Sequence, residues 1–343
     1  MLEYKKTKND HWSNFIRRSV LLMKFNILGA VIGTTAVAGA VSVIAARKLF
    51  DMTIPRQDGV KVDISEMADM NRWEEYKKII APRGEWVRSQ ELEEIYIKAR
   101  DGIKLHAWYL PAEKSNGRFA VIAHGYTSKG IDSAAHAYFF HNQGFDVVMP
   151  DHRAHGDSEG DYIGFGILDR FDCLSWIEYI LKRFGEDTRI LLHGTSMGAT
   201  TVLMASGLSN FPDNVKCIIS DCAFTSPYDV FSHILKRDYH IPEFPVMNIN
   251  SAMCRKKAGY AFNDYSTITA MKRAKCPVLF IHGESDNFVP TRMVYENYEA
   301  CTAPKEILVV ENAGHGASAY ENTELYENTE KSFIEKWIPE NND

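Results

Sequence analysis

Six short, nearly uninterrupted apolar runs decide what this chain can fold into: residues 119–123, 146–150, 189–192, 215–219, 277–281 and 306–310. A strand with one wet face alternates apolar and polar residues, whereas a run apolar throughout belongs to a strand covered on both faces. Between these runs lie stretches of helical length at 133–143, 167–184, 199–208 and 292–301. Strand and helix therefore alternate, with crossovers long enough for parallel pairing, and the expected architecture is α/β: a doubly wound sheet with helices on both faces. Residues 94–97 and 105–110, joined through Arg100, Asp101 and Gly102, read as an antiparallel hairpin and bring the expected count to eight strands. The interval 223–275 is too long for a single crossover helix and carries Pro227, Pro242 and Pro245, so it reads as a lid inserted over the strand tops.

The run at 189–192 leads into Gly194, Thr195, Ser196, Met197 and Gly198, and the helical stretch begins directly after them. A strand that turns sharply into a helix at a serine flanked by glycines presents the hydroxyl at the top of the sheet. It also aims helix N-terminal amides at developing negative charge. An alcohol is a poor nucleophile at neutral pH, so Ser196 needs a base, and the base needs an acid to orient it. Asp286 follows the seventh expected strand and His315 the eighth, which gives the order Ser, Asp, His, each at the C-terminal edge where a parallel sheet gathers its functional groups. Asp221 and Glu284 are the rival acids. His124, His193 and His282 are the rival bases, but each precedes a glycine at a strand end, where a ring caps backbone groups. Acyl transfer also needs oxyanion donors, and the backbone amides of Tyr126, after the third strand, and Met197, after the nucleophile, are the candidates.

Ahead of this domain, residues 27–46 run without a charge, which matches the roughly 20 residues a helix needs to cross a bilayer. Residues 1–26 are basic, with Lys5, Lys6, Lys8, Arg17, Arg18 and Lys24, so the positive-inside rule keeps that flank cytoplasmic and puts the catalytic domain on the extracytoplasmic side of a single-pass membrane protein. A cleaved signal peptide and a buried core helix are the alternatives. Residues 49–90 read as a polar connector with one extra helix at 64–80, and 91–338 as the hydrolase domain. The net charge of −6 leaves no basic surplus for nucleic acid. The six cysteines form no C-x-x-C pair or His/Cys cluster at metal-ligand spacing and read as buried free thiols.

These motifs, in order, resemble the α/β-hydrolase superfamily: His124-Gly125-Tyr126, the loop from Asp151 through Arg153 and Ala154 to Gly160, Gly194-Thr195-Ser196-Met197-Gly198, Asp286-Asn287-Phe288-Val289-Pro290 and Gly314-His315-Gly316. Within it the chain is similar to the YqkD-type bacterial hydrolases of the serine aminopeptidase and monoacylglycerol lipase-like group, many of which carry an N-terminal membrane segment. The resemblance runs from about residue 90 to 338. It implies a Ser196, Asp286, His315 triad, an oxyanion hole of the Tyr126 and Met197 amides, no metal and no organic cofactor. Ala154 departs from a loop that more often has glycine there.

The expected activity is cleavage of a small-molecule carboxylic ester or acyl substrate through an acyl-enzyme. Peptidase, aminopeptidase or acyltransferase chemistry on the same triad is the alternative within enzymes, and a membrane-tethered binding or regulatory module the alternative outside them. Phe224, Tyr228, Phe231, Tyr239, Phe244, Tyr260, Phe262 and Tyr265 are enough aromatics to line an apolar acyl pocket or to form the lid's own core.

Overall fold

The eight strands form one sheet. In the computed structural model, which describes residues 35–57 and 72–340, they are β1 (Glu93–Lys98), β2 (Lys104–Leu110), β3 (Arg118–Ala123), β4 (Asp146–Pro150), β5 (Arg189–Thr195), β6 (Val215–Asp221), β7 (Val278–Gly283) and β8 (Lys305–Val310). Their order is β1-β2-β4-β3-β5-β6-β7-β8. The pairs β1/β2 and β2/β4 are antiparallel and every other pair is parallel. β3, β4 and β7 are buried along their whole length, as their largely apolar character requires.

Alternate side chains of each strand feed two cores. Phe119, Val121 and Ala123 of β3 pack with Trp176 and Ile177 of the helix Asp169–Phe184 and with Val202 and Leu203 of the helix Met197–Ser206. Ala120 and Ile122 pack on the other face with Phe140 of the helix Ala134–Asn142 and Phe333 of the helix Thr323–Trp337. Gly102, at φ +95°, closes the β1–β2 turn as expected, its amide bonded to the Ala99 carbonyl at 3.0 Å. All six cysteines are buried free thiols, and burial pushes those of Cys173 and Cys254 up to about 12. The native protein should therefore be inert to dithionitrobenzoate and release six thiols on unfolding in guanidinium; rapid native reaction of any would contradict the packing.

In chain order the helices are α1 (Thr35–Thr53), α2 (Trp73–Arg88), α3 (Ala134–Asn142), α4 (Asp169–Phe184), α5 (Met197–Ser206), α6 (Pro227–Tyr239), α7 (Glu243–Ala258), α8 (Thr267–Met271), α9 (Arg292–Ala300), α10 (Ser318–Glu321) and α11 (Thr323–Trp337). The N-terminal expectations fall only partly within the described residues. Of the predicted span 27–46, residues 27–34 lie outside the described residues; the rest belongs to α1, which runs on through Arg47, Lys48 and Asp51 to Thr53. Among the described residues no helix is long and apolar enough to cross a membrane. The C-terminal half of α1 and the residue that follows it pack on the domain, with Ala46, Phe50 and Ile54 fully or almost fully buried and the Lys257 ammonium 4.8 Å from the Phe50 ring centre.

The start of the connector is docked on the domain. The Ile54 carbonyl accepts from the Ile163 amide at 2.8 Å, and the Arg56 guanidinium donates to the carbonyls of Gly156 and Ser158, each at 2.5 Å. Within the described residues a helix runs over Trp73–Arg88, past the expected end at residue 80 and through Pro82; residues 64–71 of the expected span lie outside the described residues. Its Trp86 meets Tyr138 of α3 edge to face at 5.2 Å, tertiary packing that outweighs the proline's cost.

Candidate active site

The turn from β5 into α5 holds Ser196 at φ +55°, ψ −114°, a backbone region that costs a non-glycine residue of order 1–3 kcal/mol and persists only where neighbours over-determine it. They do so here. The Ser196 amide donates to the Asp221 carbonyl at 2.8 Å, and a Cβ on Gly194 would fall 2.4 Å from the Gly198 carbonyl carbon, so only glycine lets the strand pass so close to the helix. Met197 is the first residue of α5, and its amide has no acceptor within the helix.

The two residues expected to serve the serine converge on it. His315 Nε2 lies 2.8 Å from Ser196 Oγ, and His315 Nδ1 lies 2.7 Å from Asp286 Oδ2. Because a carboxylate only accepts, Nδ1 carries the imidazole proton and Nε2 is free to take the proton of the hydroxyl. Asp286 is buried, and burial pushes its carboxyl up. Electrostatic attraction to the His315 ring and hydrogen bonds from His282 and His315 outweigh that and hold it well below the usual carboxylate range. Its other oxygen accepts from the amides of Phe288 and Val289 at 2.9 and 2.8 Å, which fixes the carboxylate plane. His282 Nε2 lies 2.9 Å from the Val289 carbonyl and 3.2 Å from Asp286 Oδ2. It is thus the backbone cap expected at that position and also a donor beneath the acid, a role its place before Gly283 does not announce.

Asp221, the rival acid, turns away: its carboxylate accepts from Tyr326 at 3.2 Å and Ser318 at 3.4 Å, while its backbone carbonyl serves the Ser196 amide. Glu284 is exposed, 3.5 Å from the Asn312 amide. His193 is buried near Tyr326 and Glu330, at 3.3 and 3.5 Å.

After β3 the chain turns through Gly125, Tyr126 and Thr127. A Cβ on Gly125 would lie 3.7 Å from that of Ser196, so the loop borders the nucleophile. Thr127 sits at φ +62°. The Tyr126 hydroxyl donates to the Thr53 carbonyl at 3.2 Å and its ring packs on Phe165 at 5.3 Å, so the residue ties the loop to the end of α1. Behind the loop, burial drives the imidazoles of His124 and His152 down to about 3 and that of His155 to about 4, helped by their mutual proximity. These rings are neutral at ordinary pH. The 151–160 loop is itself braced: Arg153 makes a two-pronged pair with Asp172 at 2.6 and 2.7 Å, and Asp151 accepts from the amides of Gly130 and Asp157. Ala154, where glycine is more usual, has φ +60°, so the backbone keeps the left-handed turn despite the side chain.

Among the described residues two groups bring three potential metal-ligand atoms within 4.8 Å: Cys222, Asp286 and His315, and His106, Asp151 and Asp157. In the first, His315 is already committed to Ser196 and Asp286, and burial holds the Cys222 thiol far above its usual range. In the second, Asp151 is saturated by His106 and two amides. The expected lid interval is the helical insertion α6, α7 and α8. Phe224, Phe231, Tyr260 and Phe262 are buried there in a cluster with Met197, Phe165, Val289 and Phe50, and so form packing rather than an open lining; Phe244 is 72% exposed.

A mostly parallel eight-stranded sheet carrying serine, acid and histidine in that order, after β5, β7 and β8, is the architecture of an α/β-hydrolase. The chain belongs to the prolyl oligopeptidase family, which matches residues 132–341. It is 28% identical over 215 residues to the protein YqkD of Bacillus subtilis, a match covering 63% of this chain and 70% of the relative. It is 24% identical over 210 residues to the membrane protein YNL320W of Saccharomyces cerevisiae, covering 61% and 68%. An esterase of Pyrococcus furiosus has a similar fold, with a TM-score of 0.60 at 22% identity over 73% of this chain and 92% of the esterase.

Proposed function

We propose that this chain is a serine hydrolase that cleaves carboxylic esters in two steps. The observation that carries the reading is the unbroken hydrogen-bond chain Ser196, His315, Asp286, at 2.8 and 2.7 Å. His315 Nε2 takes the hydroxyl proton as Ser196 Oγ attacks the ester carbonyl, and the imidazolium is held by Asp286. The amides of Tyr126 and Met197 receive the oxyanion. Collapse of the tetrahedral adduct breaks the carbonyl–alkoxy bond, and the departing oxygen takes the proton from His315. Water then repeats the sequence on the acyl-Ser196, giving the acid and the free serine.

Residues 27–46 serve in this reading as a membrane anchor, with the domain on the extracytoplasmic side; support comes from their uncharged run and the basic flank before it. The family's description favours amides as a second substrate class. The full chain in detergent, assayed on p-nitrophenyl esters from acetate to palmitate and on matched p-nitroanilides, separates them. Ester turnover far above anilide turnover is expected, and the reverse would make the protein a peptidase.

Replacing Asp286 by Asn should lower kcat by on the order of 10⁴-fold, because an amide facing Nδ1 can donate and turn the imidazole to the wrong tautomer. Steady-state ester kinetics of Asp286→Asn read this. A loss below tenfold would mean that Asp286 does not orient the base.

A further inference from the structure

Two buried imidazoles grip the loop that carries Tyr126, and their hydrogen-bond partners fix their tautomers. His124 Nδ1 lies 2.7 Å from the Gly125 carbonyl, so it carries the proton, and its Nε2 accepts from the His152 amide at 3.0 Å. His155 is arranged the same way: Nδ1 faces the Arg153 carbonyl at 3.0 Å, and Nε2 accepts from the Thr127 amide at 3.3 Å. The two rings are packed edge to face, 5.1 Å between centres.

These bonds act on the two peptide planes either side of Tyr126. The Gly125 carbonyl and the Tyr126 N–H belong to one trans peptide and point in opposite directions, so anchoring the carbonyl on His124 and on the Ser128 amide at 3.3 Å turns the N–H the other way. The next plane joins the Tyr126 carbonyl to the Thr127 N–H, and His155 holds that N–H. Thr127 has a left-handed backbone that does not persist without such restraint. We infer that His155 is a positioning residue of the oxyanion hole: as a neutral acceptor for the Thr127 amide, it locks the strained turn that aims the Tyr126 amide.

The inference rests on the serine hydrolase reading, and labelling of the parent by a fluorophosphonate probe is read first to keep the two apart. An unlabelled Ser196 would fail that reading; a labelled parent leaves the inference to be decided by His155 itself. His155→Leu removes the acceptor, and His155→Gln offers an amide oxygen where Nε2 stood. With p-nitrophenyl butyrate, the Leu variant should lose about tenfold to a hundredfold in kcat at little change in KM, less than the 10² to 10³ for outright loss of an oxyanion donor. The Gln variant should recover most of it. A Leu variant with the parent's kcat, or a Gln variant as slow as Leu, overturns the inference. The ring can also be read in the parent alone, whether or not a variant folds: the ¹⁵N imidazole shifts of His155 at pH 7 should be those of a neutral ring protonated at Nδ1. A protonated or Nε2–H ring would equally overturn it.

Discussion

Ser196→Ala should abolish turnover, by at least about 10⁴-fold, and leave the fold as it is. The side-chain oxygen has one partner, His315, so its removal strands no buried donor elsewhere. The Cβ is retained, and alanine at φ +55° carries the same backbone cost that serine already bears. The native melting temperature should therefore stay close to the parent's while ester hydrolysis and fluorophosphonate labelling both disappear. That combination separates the nucleophile from a packing residue. Parental turnover in the variant would remove Ser196 from the chemistry and with it the acyl-enzyme, whereas a large drop in melting temperature would show that the elbow depends on the hydroxyl for its shape.

Most of the sheet was legible because its signal is local. Each of the six apolar runs became a strand, and the strand, serine, helix succession around Gly194 needed only its neighbours to be recognised. The triad was legible for a related reason: parallel strands end on the same edge, so residues far apart in sequence meet if each follows its own strand. Ser196, Asp286 and His315 do. What remained hidden is set by contacts that cross the chain. Arg56 docks on carbonyls a hundred residues on, and Phe50 is buried by α7, so nothing near either residue marks 50–57 as part of the domain.

α11 escaped for a different cause. Its inward stripe of Tyr326, Phe333 and Ile334 is interrupted by Glu330, a residue that ordinarily marks a wet face. Glu330 is almost wholly buried, and burial raises its carboxyl well above the usual carboxylate range, favouring the uncharged form that suits a core position. The aromatics of 223–275 show the converse limit. Composition supplied enough rings for a pocket, but whether a ring lines a space or fills it depends on packing, and Phe231, Tyr260 and Phe262 fill it. His155 lay in a loop that entered only as a motif of the resemblance, because a neutral imidazole accepting from Thr127 leaves no pattern in sequence.

Gly198→Ala should be among the most destabilising single-methyl additions this fold can receive. Helix preference alone argues the other way, since alanine in a helix is favoured over glycine by about 1 kcal/mol. The collision decides the sign. A Cβ on Gly198 would lie 2.0 Å from the Ala123 carbonyl oxygen, 2.5 Å from its carbon and 2.7 Å from the His124 carbonyl oxygen, all of them backbone atoms. Ala123 is paired in register with Gly194 across β3 and β5, so the strand can retreat only by giving up that pairing and displacing the loop that carries Tyr126. Overpacking against side chains costs about 1–3 kcal/mol, and against a strand backbone the loss should reach about 3 kcal/mol or more. At roughly 2–4 °C per kcal/mol for a domain of this size, the melting temperature should fall by about 10 °C. Gly39→Ala in α1 is the matched control: among the described residues no atom beyond its own stretch of helix lies within 4 Å of its added carbon, and stability should hold or rise slightly. Thermal melts of the two variants beside the parent decide the matter. If Gly198→Ala melts with the parent, α5 stands farther from β3 than these distances allow, and the aim of the Met197 amide loses its geometric basis.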